Sequence, residues 1–204
     1  MRTLRLFVVG FGLAAAAGAG HAQQRQAGAH EHGRGTLNIA LEGTRLSMEL
    51  EAPGADIVGF EHKARTQEQK AAVEKAEAQL EAAEALFQLP ASAGCVLEAS
   101  RVSIDSEDHD HDHGAGHDGG NDAGSKQGAT GDAKDERSGD AHSSFRAEYA
   151  FECTSPGSLT SIALGYFKVF GGAQKLDVTV VTPKQQSRFE VIRAKPRIDI
   201  GGMM

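Results

Sequence analysis

A long polar segment of this chain is flanked by two stretches that each carry one cysteine. The flanking stretches, Cys95 to Ile104 and Ser144 to Cys153, both have the character of β-strands. An antiparallel pairing that places Cys95 opposite Cys153 also places Val102 opposite Arg146. The polar segment then becomes the connection of a single hairpin, and this pairing fixes the centre of the fold.

The two cysteines are the only ones in the sequence. Because directly opposed residues on neighbouring strands bring their side chains close together, we expect a Cys95–Cys153 disulfide. It would close a loop of about 59 residues, for which the chain-entropy argument gives roughly 4 kcal/mol. The alternative is a reduced pair that binds metal, although the spacing is not that of a cysteine-based zinc site.

The first 22 residues have the three parts of a secretory signal peptide. Arg2 and Arg5 precede an apolar run from Leu6 to Ala17, and small residues end at Ala22. We expect cleavage after Ala22 and a soluble exported protein; an uncleaved N-terminal anchor is the alternative. Cleavage changes the formal net charge from −7 to −9 because two arginines leave. Such a charge argues against nucleic acid or anionic lipid as a partner.

The segment from 105 to 142 combines high charge with few apolar residues, which predicts a disordered loop. Near its start the sequence alternates aspartate and histidine. The residues predicted to bind metal here are His109, His111, His113, His117, Asp108, Asp110 and Asp112. In an extended chain alternate side chains share one side, so the histidines can converge on a cation while the aspartates hold it or attract it.

Neutral imidazole suits several transition metals, so the tract alone does not select one. Four histidines satisfy a tetrahedral Zn(II) ion. Cu(II) and Ni(II) bind such tracts at least as well in intrinsic affinity, and they remain alternatives.

The rest of the sequence predicts one α+β domain over residues 23–204, with a small antiparallel sheet and one main helix over 66–87. Thr66 is the expected N-cap and Gln69 its capping-box partner. A hairpin is expected with Glu42-Gly43 as its turn. The other predicted elements are a helical turn at Ile57–Phe60, a strand at Ser158–Ile162, a helical turn at Gly165–Phe170, a hairpin of Leu176–Thr182 with Ser187–Ala194, and a strand at Arg197–Ile200.

Four further histidines lie at the borders of predicted elements. His30 and His32 stand two residues apart before the first strand, His62 follows Gly59-Phe60-Glu61, and His142 ends the polar segment. Each is a candidate metal ligand, with an ordinary surface histidine as the alternative. Glu31 or Glu61 beside a histidine could also serve as the base of an exported metal-dependent hydrolase, but no catalytic spacing supports that enzyme class.

These phrases together resemble the ZrgA-like family of periplasmic zinc-binding proteins. The resemblance rests on His30-Glu31-His32-Gly33, on Gly59-Phe60-Glu61-His62, on the His/Asp-rich insert, and on His142 followed by Phe145 and Cys153. It implies zinc binding outside the cytoplasm and makes His30, His32, His62 and His142 stronger ligand candidates. Lys63-Ala64 departs from the Ala-Pro that the family pattern leads us to expect after Gly-Phe-Glu-His.

The expected function is therefore a non-enzymatic zinc chaperone or buffer in the periplasm. It would capture Zn(II) and assist its uptake, by delivery to a zinc ABC importer or to that importer's periplasmic binding protein. The folded-domain histidines would bind more tightly, and the tract would hold weaker, exchangeable ions.

Overall fold

The computed structural model describes residues 31–106 and 142–204 of the 204-residue chain. Within these ranges the strands are β1 (Arg34–Glu42), β2 (Arg45–Pro53), β3 (Phe87–Gln88), β4 (Cys95–Ser106), β5 (Ser143–Cys153), β6 (Ser161–Leu164), β7 (Lys175–Val181), β8 (Gln186–Ile192) and β9 (Arg197–Asp199). The α-helices are α1 (Gly54–Ile57), α2 (Gln67–Glu81), α3 (Ala83–Leu86) and α4 (Tyr166–Val169). Short 3-10 turns occur at Ala91–Ala93, Pro156–Ser158 and Gly201–Met203.

Six strands form the main sheet in the order β4-β5-β2-β1-β7-β8, and β3, β6 and β9 form a second, three-stranded sheet. The main sheet is mixed, because β1 and β7 run parallel while its other neighbours are antiparallel. The prediction of a purely antiparallel sheet is therefore wrong at this pair. A parallel pair has no local turn to announce it, since its strands are joined by a long crossover.

The β1–β2 hairpin supplies one face of the core, as its alternating pattern predicts. Leu37, Ile39, Leu46, Met48 and Leu50 are all at most 2% exposed. The turn itself lies one residue further along the chain than predicted. Glu42 pairs with Arg45, so the two-residue loop is Gly43-Thr44, with Gly43 at a φ of +60°.

The β4–β5 hairpin has the predicted disulfide between Cys95 and Cys153. The register beyond it is not the predicted one. Between Leu97 and Ala99 the pairing shifts by one residue, so that Val102 lies opposite Ala147 and not Arg146. The cause is an extra residue at Glu98, a β-bulge that a register extended at constant offset does not anticipate.

The main helix begins as the sequence predicts and ends earlier. Thr66 is the N-cap, and Thr66 and Gln69 make the reciprocal hydrogen bonds of a capping box. The helix stops at Glu81, and Phe87 belongs to β3. At the break the Tyr149 hydroxyl donates to the Leu80 carbonyl at 2.8 Å, which satisfies an acceptor that a continuous helix would satisfy itself.

The C-terminal third largely follows its sequence pattern. The β7–β8 hairpin and the helical turn at α4 lie where they were expected, and β9 covers most of its predicted range. The strand expected at Ser158–Ile162 begins later, at Ser161, and the helical turn expected at Ile57–Phe60 is instead α1, which ends at Ile57. None of the helices in residues 31–106 and 142–204 is long and apolar enough to cross a membrane.

Candidate metal-binding site

His32 lies at the corner of a tight turn that leads into β1. The Arg34 amide donates to the Glu31 carbonyl at 3.1 Å and closes the turn, and Gly33 has a φ of +83°. A positive φ at this third position is typical of a type II turn and favours glycine. The Gly33 carbonyl accepts from the amides of Gln174 (2.9 Å) and Lys175 (2.8 Å), so the turn is attached to the start of β7.

The Glu61 carboxylate lies between two imidazoles that are distant in sequence. His142 Nδ1 donates to Glu61 Oε2 at 2.6 Å, and His32 Nε2 is 3.1 Å from Glu61 Oε1. The Glu61 side chain is 14% exposed, against 41% for His142 and 68% for His32. The carboxylate is thus the enclosed member of the trio, while the histidines are accessible from solvent.

The short helix α1 explains why Glu61 and His142 meet. A Cβ atom on Gly54 would lie 2.5 Å from Ser143 Oγ and 2.7 Å from the Phe60 carbonyl oxygen, so only glycine allows this approach. Ser143 follows His142, and Phe60 precedes Glu61. The close contact at Gly54 therefore brings the backbones that carry both side chains to one point.

Asp56, on the same helix, is 4% exposed and lies next to the His32 turn. Its Oδ1 accepts from the Gly33 amide at 2.6 Å. Its Oδ2 is buried without a hydrogen-bond partner among the described residues. Burial raises the pKa of the Asp56 carboxyl, against the Gly33 hydrogen bond and the nearby His32, which both lower it.

A second buried carboxylate oxygen, Glu61 Oε1, also lacks an aligned hydrogen bond within residues 31–106 and 142–204. His32 Nε2 is close enough to Oε1 for an ion pair but not oriented for a hydrogen bond. Buried oxygens of this kind call for a proton, a water or a cation. The two carboxylates and two imidazoles of this region supply oxygen and nitrogen atoms of the kinds that Zn(II) accepts.

Of the histidines predicted to bind metal, the structure brings His32 and His142 together around Glu61. His62 is exposed and has other neighbours: its ring stacks on Phe60 at 5.0 Å, and its Nδ1 is 3.1 Å from the Lys63 carbonyl oxygen. His62 Nε2 is 3.4 Å from Gln69 Nε2 at the start of α2. His62 is thus not part of the Glu61 cluster, although it adjoins Glu61 in sequence.

The other predicted ligands lie outside the described residues. They are His30, His109, His111, His113, His117, Asp108, Asp110 and Asp112. Cys95 and Cys153 are joined to each other, which rules out the alternative of a reduced metal-binding pair in this state. Within the described ranges, no group of three or more His, Cys, Asp or Glu side chains is arranged so that it could hold a metal ion.

Sequence reasoning missed two acidic members of this cluster as parts of a metal site. The sequence suggests Glu61 only as a catalytic base, and it does not suggest Asp56 at all. The sequence signal for Glu61 is its position in Gly59-Phe60-Glu61-His62, where the histidine is the more obvious candidate for a metal ligand. Asp56 has no local signal, because its partner Gly33 is 23 residues away.

The sequence matches a family model described as ZrgA family zinc uptake protein, over residues 29–200. That range contains all the described side chains of the cluster and the whole insert. No curated protein matches the sequence significantly.

Proposed function

We propose that this chain, which belongs to the ZrgA family of zinc uptake proteins, is a periplasmic zinc chaperone. It captures Zn(II) at His32, Glu61 and His142 once these side chains have rearranged, since in their present arrangement they do not form a metal site. It then passes the ion to an inner-membrane zinc importer or to that importer's binding protein. It does so without catalysing a reaction. Zinc is the cargo of this protein.

The observation that carries the proposal is the contact of one enclosed carboxylate with two imidazoles. Glu61 makes its contacts to His32 and His142 at 3.1 Å and 2.6 Å, with each carboxylate oxygen facing one ring nitrogen. Zinc binding displaces any proton on a ring nitrogen that becomes a ligand, because an imidazole nitrogen ligates metal through its lone pair.

Rearrangement around an ion is easiest at His32. Its side chain is 68% exposed, so little packing opposes a rotation, whereas Glu61 is 14% exposed and stays in place. A capture site made of one fixed and two movable ligands suits an ion that must later be released. His30, two residues before His32, is the sequence-based candidate for a further ligand.

The His/Asp tract supports the second half of the proposal. Its four histidines and three interleaved aspartates make it a reservoir of weaker sites next to a tighter one. The disulfide together with the predicted signal peptide supports the periplasm as the compartment, since structural disulfides are typical of exported proteins.

The test is a zinc titration of the oxidised protein from residue 23 onward, with a competing chelator. Three variants accompany it: Glu61→Gln, the surface control Glu49→Gln, and a chain in which residues 107–141 are replaced by a short Asn-Gly turn. The replacement keeps His142 and joins strands that already pair at Ser106 and Ser143. Competition with Cu(II) and Ni(II) under the same conditions measures the preference for zinc.

We expect the turn variant to keep one tight site and to lose the weaker ones. Glu61→Gln should weaken the tight site while Glu49→Gln leaves it unchanged, because Glu49 is paired with Arg146 on the surface. If Glu61→Gln binds zinc as the unaltered protein does, the cluster is not the capture site. Delivery is tested separately, by growth of cells under zinc limitation with each variant.

A further inference from the structure

Helix α1 contacts the neighbours of all three residues in the candidate site. Gly54 packs against Ser143 and the Phe60 carbonyl, beside His142 and Glu61 respectively. Asp56, two residues later, hydrogen-bonds Gly33, beside His32. A single four-residue helix is thus the common support of three segments that are otherwise far apart in the chain.

We infer that Asp56 is a positioning residue that holds His32 against Glu61 through the Gly33 amide. This inference rests on the proposed zinc capture at that cluster for its functional meaning. Its structural part, the orientation of His32 by Asp56, can be tested without metal.

The hydrogen bond between Asp56 and Gly33 lies in a buried part of the protein. Asp56 is 4% exposed, and a carboxylate of that burial is costly unless it makes hydrogen bonds. On its other side, a Cβ atom on Gly172 would lie 2.7 Å from Asp56 Cα and from its carbonyl oxygen. Because Gly172 has no side chain, the loop that contains it can pack directly on Asp56 and hold helix α1 in place.

Both peptide units that meet at Gly33 are held by hydrogen bonds. Its amide donates to Asp56, and its carbonyl accepts from Gln174 and Lys175. Its φ of +83° would strain any other residue, and the Gln174 side chain would have to shift to admit one. His32 is therefore attached to a peptide whose orientation Asp56 helps to determine, although the His32 ring itself is exposed.

The experiment compares Asp56→Asn with Asp56→Ala in the oxidised full mature chain. Asparagine keeps an oxygen that can accept the Gly33 hydrogen bond and removes the charge, whereas alanine removes both. Tyr149→Phe serves as the matched control. It also removes a buried hydrogen bond between a side chain and the backbone, but that bond is made to α2, away from His32. Thermal unfolding of each variant reports whether the fold persists.

The metal-free readout is nuclear magnetic resonance of the Gly33 amide and the His32 ring. Asp56→Ala should move both sets of resonances and speed exchange of the Gly33 amide, while Asp56→Asn and Tyr149→Phe should leave the His32 ring close to its original position. If Asp56→Ala leaves the Gly33 and His32 resonances unchanged, the positioning role is wrong. Unchanged resonances would overturn that role even if zinc binds elsewhere.

The zinc readout uses a chelator competition with the same variants. Partners that orient metal ligands typically contribute about 10- to 100-fold in affinity, so Asp56→Ala should weaken zinc at least about tenfold, and Asp56→Asn by less than about threefold. Equal losses in the two variants would mean that Asp56 acts through its charge, which overturns the inference. If resonances move as expected but no variant of the cluster changes zinc affinity, the positioning holds and the proposed capture site fails.

Discussion

The two ends of the β4–β5 hairpin differ in what holds them together. At one end Cys95 and Cys153 are joined covalently, and Cys153 is completely buried. At the other end, eleven residues from Cys153 and just before β5, His142 meets Glu61 through a hydrogen bond at a half-exposed position. At the usual rise per residue the ends are roughly 35 Å apart. The covalent end is thus suited to stabilise the fold, and the exposed end is where we propose that the ion binds. We expect that each end can be altered without the other.

The strongest test of this separation removes the covalent end. The double variant Cys95→Ala/Cys153→Ala should lose about 2 to 5 kcal/mol of unfolding free energy, as is usual for a native disulfide in a small domain. Denaturant unfolding measures the loss, with the reduced unaltered protein as a control. Under conditions where the variant is folded, its zinc affinity should match that of the oxidised protein. A parallel fall in zinc affinity would show that the two ends are coupled.

The reverse test removes His142, the proposed ligand at the other end of the hairpin. His142→Ala should weaken zinc binding by at least about tenfold, since even indirect partners of a metal contribute that much. The free energy of unfolding should change little, because the His142 side chain is 41% exposed. Calorimetric zinc titration and urea unfolding of the same sample separate the two quantities. A large loss of stability with zinc affinity unchanged would mean that His142 stabilises the fold and does not bind zinc.

A smaller effect is expected midway along the hairpin, where Tyr149 donates to the Leu80 carbonyl. Burial raises the pKa of this hydroxyl well above its usual range, so it stays a donor at neutral pH. Tyr149→Phe leaves the buried Leu80 carbonyl without that donor and should cost about 1 kcal/mol. Hydrogen exchange should show faster opening at the junction of α2 and α3, with zinc affinity unchanged. Unaltered exchange there would mean that another group ends the helix.

The smallest effect is expected at His62, one residue after Glu61. His62→Ala should change zinc affinity by less than about threefold, which is under the 1.4 kcal/mol of a tenfold change. Its ring contacts Phe60, Lys63 and Gln69, away from the Glu61 cluster. The same titration as for His142→Ala provides the comparison. A tenfold loss at His62 would place a second tight site at the start of α2.

The elements that the sequence predicts correctly depend on neighbouring residues. The capping box of Thr66 and Gln69 and the β7–β8 hairpin are decided within a few positions, and the structure confirms both. The disulfide was also predictable, because only one cysteine pair exists. The bulge at Glu98, the helix break at Glu81 and the parallel β1–β7 pair depend on contacts across the fold, and no local pattern encodes them.

The same distinction between local sequence and contacts across the fold applies to the residues of the candidate site. Residue chemistry alone marks His32 and His142 as candidates, because the neutral imidazole is a common metal ligand. Glu61 and Asp56 become recognisable only when burial and partners are known: one lies between two imidazoles, the other beneath the turn that carries one of them. His62 shows the reverse. Its sequence phrase predicts a metal ligand, but the structure places its side chain outside the Glu61 cluster.

The parallel pairing of β1 with β7 bears on the order in which the protein can mature. Ribosomes make the chain from the N-terminus, so His32 and Gly33 emerge early, yet the Gly33 carbonyl finds its partners in Gln174 and Lys175 near the end. Contacts of such long sequence separation form late and slowly. A nascent or truncated chain that stops before β7 therefore carries His32 and Gly33 without the backbone partners that hold their turn. The backbone support of the proposed site is therefore complete only after β7 has been made, near the end of synthesis.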